Sequence, residues 1–429
     1  MSDFGRLIRT NANYRRTWTG QVVSEIGDHF NNIAVMSLAM ERGNAGLVVT
    51  GVFLSRAVAM LGAGPIAGVL LDRLDRRRVM IASDLVRAVI ALSFIFCVDY
   101  KSNWLLFGLS AVLMFASPFF SGGRAAVLPS IATADELHTA GTMTQTTSWA
   151  SLTIGAFLGA VVVKSGFAIA FGFNALSFLV SAACIARLHH ADGRGFRVLQ
   201  SASKRSKTGF RQFRDGLAYM RSTPLLSGVS VVTIGWAAGG GAAQILFSLF
   251  GEKVFKAGPY GIGVIWGCAG LGLLCGGAVG YQLGKRLNFV QYKRTVAIVY
   301  VIHGGAYVLF SQMPTMAWAC VFIAVSRAAV AVSSVLNYTQ LMRHVEDRFR
   351  GRVFATLESL TWSTMMISMM ATGAVSVSWN PRTIGMVSGI VSSMTAVVWT
   401  WLNVSGRLPE PPEVGELALQ EAESVHAIA

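Results

Sequence analysis

Twelve apolar runs, parted by short polar segments, occupy most of the chain. They fall at about 17–40, 47–71, 79–98, 104–123, 137–163, 165–186, 225–250, 259–283, 295–311, 315–341, 353–378 and 383–404. A helix needs about 20 predominantly apolar residues to cross the hydrocarbon core of a bilayer, and each run reads as one such crossing. Four stretches contain no Asp, Glu, Lys or Arg at all: Leu137 to Val163, Leu225 to Gly251, Ala257 to Gly284 and Thr383 to Gly406. The ninth and tenth runs are separated only by the turn around Met313-Pro314. No strand-like alternation competes with this pattern, and the expected fold is all-α and membrane-embedded.

The polar segments fix the expected orientation. Of 36 lysines and arginines, 26 lie in the segments that share a side with the N-terminus, six lie in the opposite loops, and the rest sit inside helices. The positive-inside bias then places both termini in the cytoplasm. Residues 187–224 form the one long interior segment, with nine cations, and divide the helices into six and six. The organisation read from this is a six-helix bundle at 1–186 and a cytoplasmic linker at 187–224. A second six-helix bundle follows at 225–406, then an acidic disordered cytoplasmic tail at 407–429. Within the linker, Phe210, Phe213, Leu217 and Met220 recur at helical steps, which predicts a short amphipathic helix on the inner membrane face. Faint internal symmetry accompanies the division: Gly68 with Asp72-Arg73 is echoed 212 residues later by Gly280, Gly284 and Lys285.

Composition narrows the function class. Hydrophobic residues make up 53% and charged residues 13% of the 429, about half the charged share of a soluble domain. Net charge is +15, but the cations cluster between membrane-length runs and form no continuous basic face, so a nucleic-acid partner is not expected. The five cysteines all fall in apolar runs without a C-x-x-C spacing. They read as small buried hydrophobes, implying neither disulfide nor metal site. The basic stretch with Arg6, Arg9, Arg15 and Arg16 precedes a run too long for a signal peptide, so the first helix is expected to stay as an anchor. No G-x-x-x-x-G-K-[ST] pattern is present, so ATP is not the expected energy source and no cofactor or enzymatic chemistry is implied.

The second and third runs are joined by the charged turn Gly68 to Arg78, with six charges in the seven residues from Asp72 to Arg78. The spacing Gly68-x-Leu70-x-Asp72-Arg73-x-x-Arg76-Arg77 resembles the loop between the second and third helices of the major facilitator superfamily, with Asp75 where that family usually has Gly. Arg350-Gly351-Arg352-Val353-Phe354, and Asn13-x-x-Arg16-x-x-x-x-Gly20-Gln21 with Gly27-Asp28, resemble the bacterial subgroup of enterobactin exporters and macrolide-efflux proteins. The resemblance covers about Asn13 to Arg407. It implies two six-helix bundles related by pseudo-two-fold symmetry, alternating access, and a bacterial inner-membrane transporter that works as a monomer. It also implies a gate, in which Asp72 docks near Arg350–Phe354 at the start of the eleventh helix. Gly68, Arg73, Arg76 and Glu358 take part in that latch.

Ionisable groups inside a membrane helix are costly and mark function. Gln21, Glu25, Asp28 and Asn32 step by four, three and four residues and share one face of the first helix, expected to line a wet cavity. Asp28 sits at mid-depth, and Arg56 on the second helix lies within roughly 5 Å of the same depth. These three, Asp28 with Glu25 and Arg56, are the expected proton-coupling groups, with proton as coupling ion. In the second half the position matching Asp28 is Gly240, within Gly239-Gly240-Gly241, which suits close packing. Gln145, Trp149, Asn174, Trp236, Gln244, Asn337, Tyr338 and Trp362 are expected to line the substrate cavity, beside Gln21 and Asn32. Arg124 and Arg327 suit either an anionic substrate or a carboxylate partner. Asp84 and Arg87 are expected to form a local pair, and His303 to be a hydrogen-bonded core histidine. Gly155-Ala156-x-x-Gly159 partly matches an antiporter motif. The function this supports is proton-coupled efflux of a small amphipathic, drug-like or siderophore-like molecule. A lipid or lysophospholipid flippase of the same fold and a non-transporting membrane receptor are the other readings.

Overall fold

The computed structural model describes residues 3–189, 196 and 209–412. Among them the secondary structure is helical: α1 (Asp3–Thr10), α2 (Ala12–Met40), α3 (Ala45–Arg73), α4 (Arg76–Ser93), α5 (Phe96–Asp99), α6 (Asn103–Ile131), α7 (Ala134–Val162), α8 (Phe167–Ala186), α9 (Gly209–Ser222), α10 (Pro224–Leu249), α11 (Gly258–Gly284), α12 (Phe289–Gln312), α13 (Met316–His344), α14 (Asp347–Val375) and α15 (Pro381–Val404). Among the described residues ten helices are long and apolar enough to cross a membrane. Helices α2 and α14, each of 29 residues, match them in length but not in that measure; α2 carries the Gln21–Asn32 polar stripe. Every backbone polar group in a bilayer must be satisfied within the protein, and helices do this locally.

Helix starts are written in the sequence as caps. Asn11 accepts the Tyr14 N–H, Asp75 the Arg78 N–H and Ser102 the Leu105 N–H. Thr133 with Glu136 and Asn288 with Gln291 form complete capping boxes at α7 and α12. Helix ends are held by arginines, which suit the last carbonyls of a helix. Arg16 donates to Arg187 O at 2.7 Å, and Asn13 donates to His189 O at 2.7 Å, tying the start of α2 to the end of α8. Arg350 donates to Met342 O and Val345 O at the end of α13. These are residues of the family-like motifs, and their contacts here are structural. The fourth run extends past its expected end at 123 to Ile131, because Val127 and Ile131 are buried there.

The chain forms two compact units. The first comprises residues 1–202, 244–271 and 369–381, the second 203–243, 272–368 and 382–429. In the first, α2 packs on α7 and α8, α3 on α6, and α4 on α6 and α8. The packing is close because small residues face one another. A Cβ at Gly27 would lie 2.7 Å from Ser177 Cβ of α8, and one at Gly155 would lie 2.7 Å from His29 Cβ of α2. Gly155 and Gly159 of the antiporter-like motif are thus packing positions against His29 and Phe30. The later pieces of this unit join it through the end of α7 and the start of α3. Gly263 of α11 packs on Ala156 and Ala160, Gly373 of α14 packs on Thr50, and Lys164 Nζ lies 4.1 Å from the Tyr260 ring centroid.

In the second unit, α12 packs along α13, and Gly272 and Gly276 of α11 meet the backbone of α13 at Ala324 and Ala328. Gly239 and Gly241 meet the backbone at Ser388 and Met365, the close packing expected of that triplet. The described part of helix α9 packs on protein. Met220 is buried in the core, Tyr219 stacks on Phe349 with centroids 4.3 Å apart, and Asp215 lies 3.9 Å from Arg352. Of the acidic tail, residues 407–412 are described: Leu408 is buried in the same core, and its carbonyl accepts from Lys293 Nζ at 2.9 Å. Residues 413–429 lie outside the described residues.

Replacing Gly27 with Leu is expected to overpack the α2–α8 contact at a cost of about 1–3 kcal/mol. The yield of monodisperse protein after membrane extraction checks this, and a wild-type yield and melting temperature contradict it.

Candidate functional site

The polar stripe of α2 is the core of the site. Gln21 is buried, while Glu25, Asp28 and Asn32 are half-buried. Glu25 Oε1 accepts from Gln21 Nε2 at 2.8 Å and from Ser148 Oγ of α7 at 3.1 Å. Arg124 of α6 donates to the same Gln21 side chain through its Oε1. Glu25 and Arg124 therefore meet through a shared amide, and the partner open in the sequence reading of Arg124 is found on α2. One atom of this network, Glu25 Oε2, is buried with no hydrogen-bond partner among the described residues.

One turn further along α2, Asp28 has four charged neighbours: Arg87 and Asp84 of α4, Arg56 of α3, and Glu25. Arg56 is buried and donates to Asn32 Oδ1 at 2.7 Å. The expected partner of Asp28 is thus near it but hydrogen-bonded to the next residue of the stripe. Arg87 forms an ion pair with Asp84, both fully enclosed, and its guanidinium lies 4.3 Å from the Phe178 centroid and 4.8 Å from the Phe120 centroid. Cations over aromatic faces are attracted electrostatically, most strongly when desolvated. The pair expected to be merely local is in the electrostatic surroundings of Asp28. Depth alone contained this signal: Arg87 lies eight residues into its apolar run and Asp28 eleven into its own, roughly 5 Å apart at 1.5 Å per residue.

Other expected residues are placed as follows. Asn174 is fully buried where α8 meets Gly27 of α2, and accepts from Ser177 at 3.4 Å. Trp149 and Gln244 are half-buried, and Gln145 is exposed. In the second unit, Trp236, Asn337 and Tyr338 come together around a cavity of about 170 Å³, with Val229, Thr233, Tyr300, Val330, Ser334, Leu341, Phe354 and Leu357. Trp362 and Arg327 are not among its lining residues. Arg327 is buried among Tyr307 and His303. His303 is the hydrogen-bonded core histidine expected, its Nδ1 2.8 Å from Ser326 Oγ. Tyr300 of α12 and Phe354 and Leu357 of α14 were missed as cavity residues; Tyr292, Tyr300, His303 and Tyr307 share one face of α12 at helical spacing, which is the signal that marks Tyr300.

In the charged turn, Gly68, Asp72 and Arg73 are exposed, and Arg76 donates to Ala126 O at 2.6 Å. Asp75 does more than its position requires: besides capping α4, its Oδ2 accepts the backbone N–H of Phe196 at 3.1 Å. Glu358 is exposed on α14, and Arg350 holds the end of α13. Asp72 belongs to the first unit, Arg350 and Glu358 to the second.

A face of carboxylates, arginines and amides inside apolar helices marks a functional site within a membrane protein. The chain belongs to the Major Facilitator Superfamily, whose family model matches residues 17–359. It is a multi-pass membrane transporter and not an enzyme.

Among characterised sequences it is similar to the putative bacilysin exporter BacE of Bacillus subtilis, at 24% identity over 87% of this chain and 91% of that one. It is also similar to macrolide efflux protein A of Streptococcus pyogenes, at 22% identity over 82% and 85%. Among solved structures it resembles the nucleoside transporter NupG, with TM-score 0.63 and 11% identity over 90% of this chain and 98% of that one. An inward-facing bacterial homologue of the iron transporter ferroportin gives TM-score 0.65 and 14% identity over 90% and 98%.

Replacing Gln21 with Ala strips Arg124 and Glu25 of their shared amide. Hydrogen bonds to charged groups are worth about 1.5–3 kcal/mol, so a lowered melting temperature in detergent is expected; an unchanged one contradicts the network.

Proposed function

We propose that the protein is a proton-coupled exporter of a small amphipathic molecule, working by alternating access from the bacterial inner membrane with both termini in the cytoplasm. The observation that carries this reading is Asp28, a half-buried carboxylate at mid-helix with two arginines and two carboxylates for neighbours. Burial disfavours its charge, and a nearby guanidinium favours it. A small shift of α3 or α4 against α2 changes that balance, and with it the affinity for a proton. In the outward-facing state Asp28 takes a proton from the periplasm; in the inward-facing state it gives the proton to the cytoplasm, and substrate travels the other way. The exporter names of the sequence relatives support the direction of transport.

The two six-helix halves are the moving parts in this scheme, and the 187–224 linker joins them. Contacts between the halves within the first unit involve the start of α3, the end of α7, the start of α11 and the end of α14. In the proposed topology these ends are periplasmic, and their glycine-mediated packing serves as the outer gate. Asp72, with Arg73 and Arg76, serves as the inner latch against the start of α14 around Arg350 and Glu358, where the positive end of the helix dipole favours an anion. A drug-like or siderophore-like cargo suits a site built of amides and aromatic rings without a cofactor.

The deciding experiment is transport into inside-out vesicles under an imposed pH gradient. Asp28→Asn is expected to insert and fold normally and to lose gradient-driven accumulation at least tenfold, while Glu25→Gln loses less. Full gradient dependence in the Asp28→Asn protein contradicts the proposal.

A further inference from the structure

The cavity of the second unit is built unlike the charged site of the first, and its chemistry points to a different part of the cargo. No charged residue lines it. Four rings do, those of Trp236, Tyr300, Tyr338 and Phe354, with Val330 and Leu341 among the aliphatic walls. Two polar side chains of its wall, Thr233 and Asn337, are spent on the protein itself, and those of Ser334 and Tyr338 lie at the exposed mouth. Thr233 Oγ1 donates to Val229 O at 2.8 Å, Asn337 Oδ1 accepts from Tyr292 OH at 2.9 Å, and Asn337 Nδ2 donates to Ser333 Oγ at 3.3 Å. A charged or strongly polar group placed here would lose its water without replacement partners. An apolar group would not.

Size sets the rest. The cavity holds about 170 Å³, slightly more than the roughly 150 Å³ apolar cavity known to accept benzene. Ser334 and Tyr338, both exposed, mark its mouth.

We infer that this cavity is a subsite for one neutral six-membered ring of the cargo, the polar remainder of the molecule staying outside the mouth at Ser334 and Tyr338. The cargo is then a molecule with a single terminal aromatic or cyclohexyl-type group on a polar body. The inference rests on the exporter reading only for the word cargo; ring recognition is a binding property and is measured without transport.

The full-length protein in lipid nanodiscs is dialysed against N-acetylalanine amide, N-acetylphenylalanine amide and N-acetylnaphthylalanine amide, which share a polar body and differ in the apolar group. Burying a phenyl ring predicts about tenfold or tighter binding of the phenylalanine probe than of the alanine probe, with the naphthyl probe weaker than the phenyl. Ser334→Trp, a change at the exposed mouth, is expected to bring phenyl binding down to the alanine level. Val330→Ala, which enlarges the cavity, is expected to shift the preference toward naphthyl. Equal binding of the alanine and phenylalanine probes, or unchanged selectivity in both variants, overturns the subsite. Failure of the Asp28→Asn vesicle experiment with ring selectivity intact overturns proton coupling instead.

Discussion

A charge inside a bilayer must be held by other charges, by hydrogen bonds or by water, and the first unit is arranged around meeting that demand on one helix. Everything near the α2 stripe follows from it. Gln21 joins Arg124 to Glu25, Asn32 takes Arg56, and Asp84 holds Arg87 between the Phe120 and Phe178 rings. Asp28 is left among these groups as the carboxylate whose surroundings include both signs. The glycines at 27 and 155 allow the helices carrying these groups to approach α2 closely enough for side chains as short as Ser148 to reach it.

The second unit solves a different problem. It has no carboxylate at the position corresponding to Asp28, and Gly239 and Gly241 there serve backbone packing. Among its buried polar groups Tyr292, Asn337 and Ser333 hydrogen-bond one another, and Arg327 is buried beside Tyr307 and His303. The charged cluster around Asp28 thus sits on the first unit and an aromatic cavity on the second.

Much of the fold was legible because membrane helices announce themselves by length and polarity. Each of the twelve expected runs falls on a helix, and among the described residues ten helices are long and apolar enough to cross a membrane. What was not legible is which helices touch. Arg56 and Arg87 are offset in depth from Asp28 by about the same amount, one on each side of it, and spacing along the chain gives no means of ranking them as its neighbours. The same blindness hid Asp75, whose second hydrogen bond goes to Phe196, 121 residues away. It also hid the docking of α9 on α14, since a periodic apolar face looks the same whether it meets lipid or protein.

Titration of the Asp28 carboxyl tests the central claim most directly. Infrared difference spectra of the purified protein, recorded while pH is lowered, are predicted to show a protonated-carboxyl band growing in the wild type and absent in Asp28→Asn, with cargo-like probes shifting its midpoint. A band that is the same in both proteins, or a wild-type spectrum with no buried carboxyl titrating, would contradict the account.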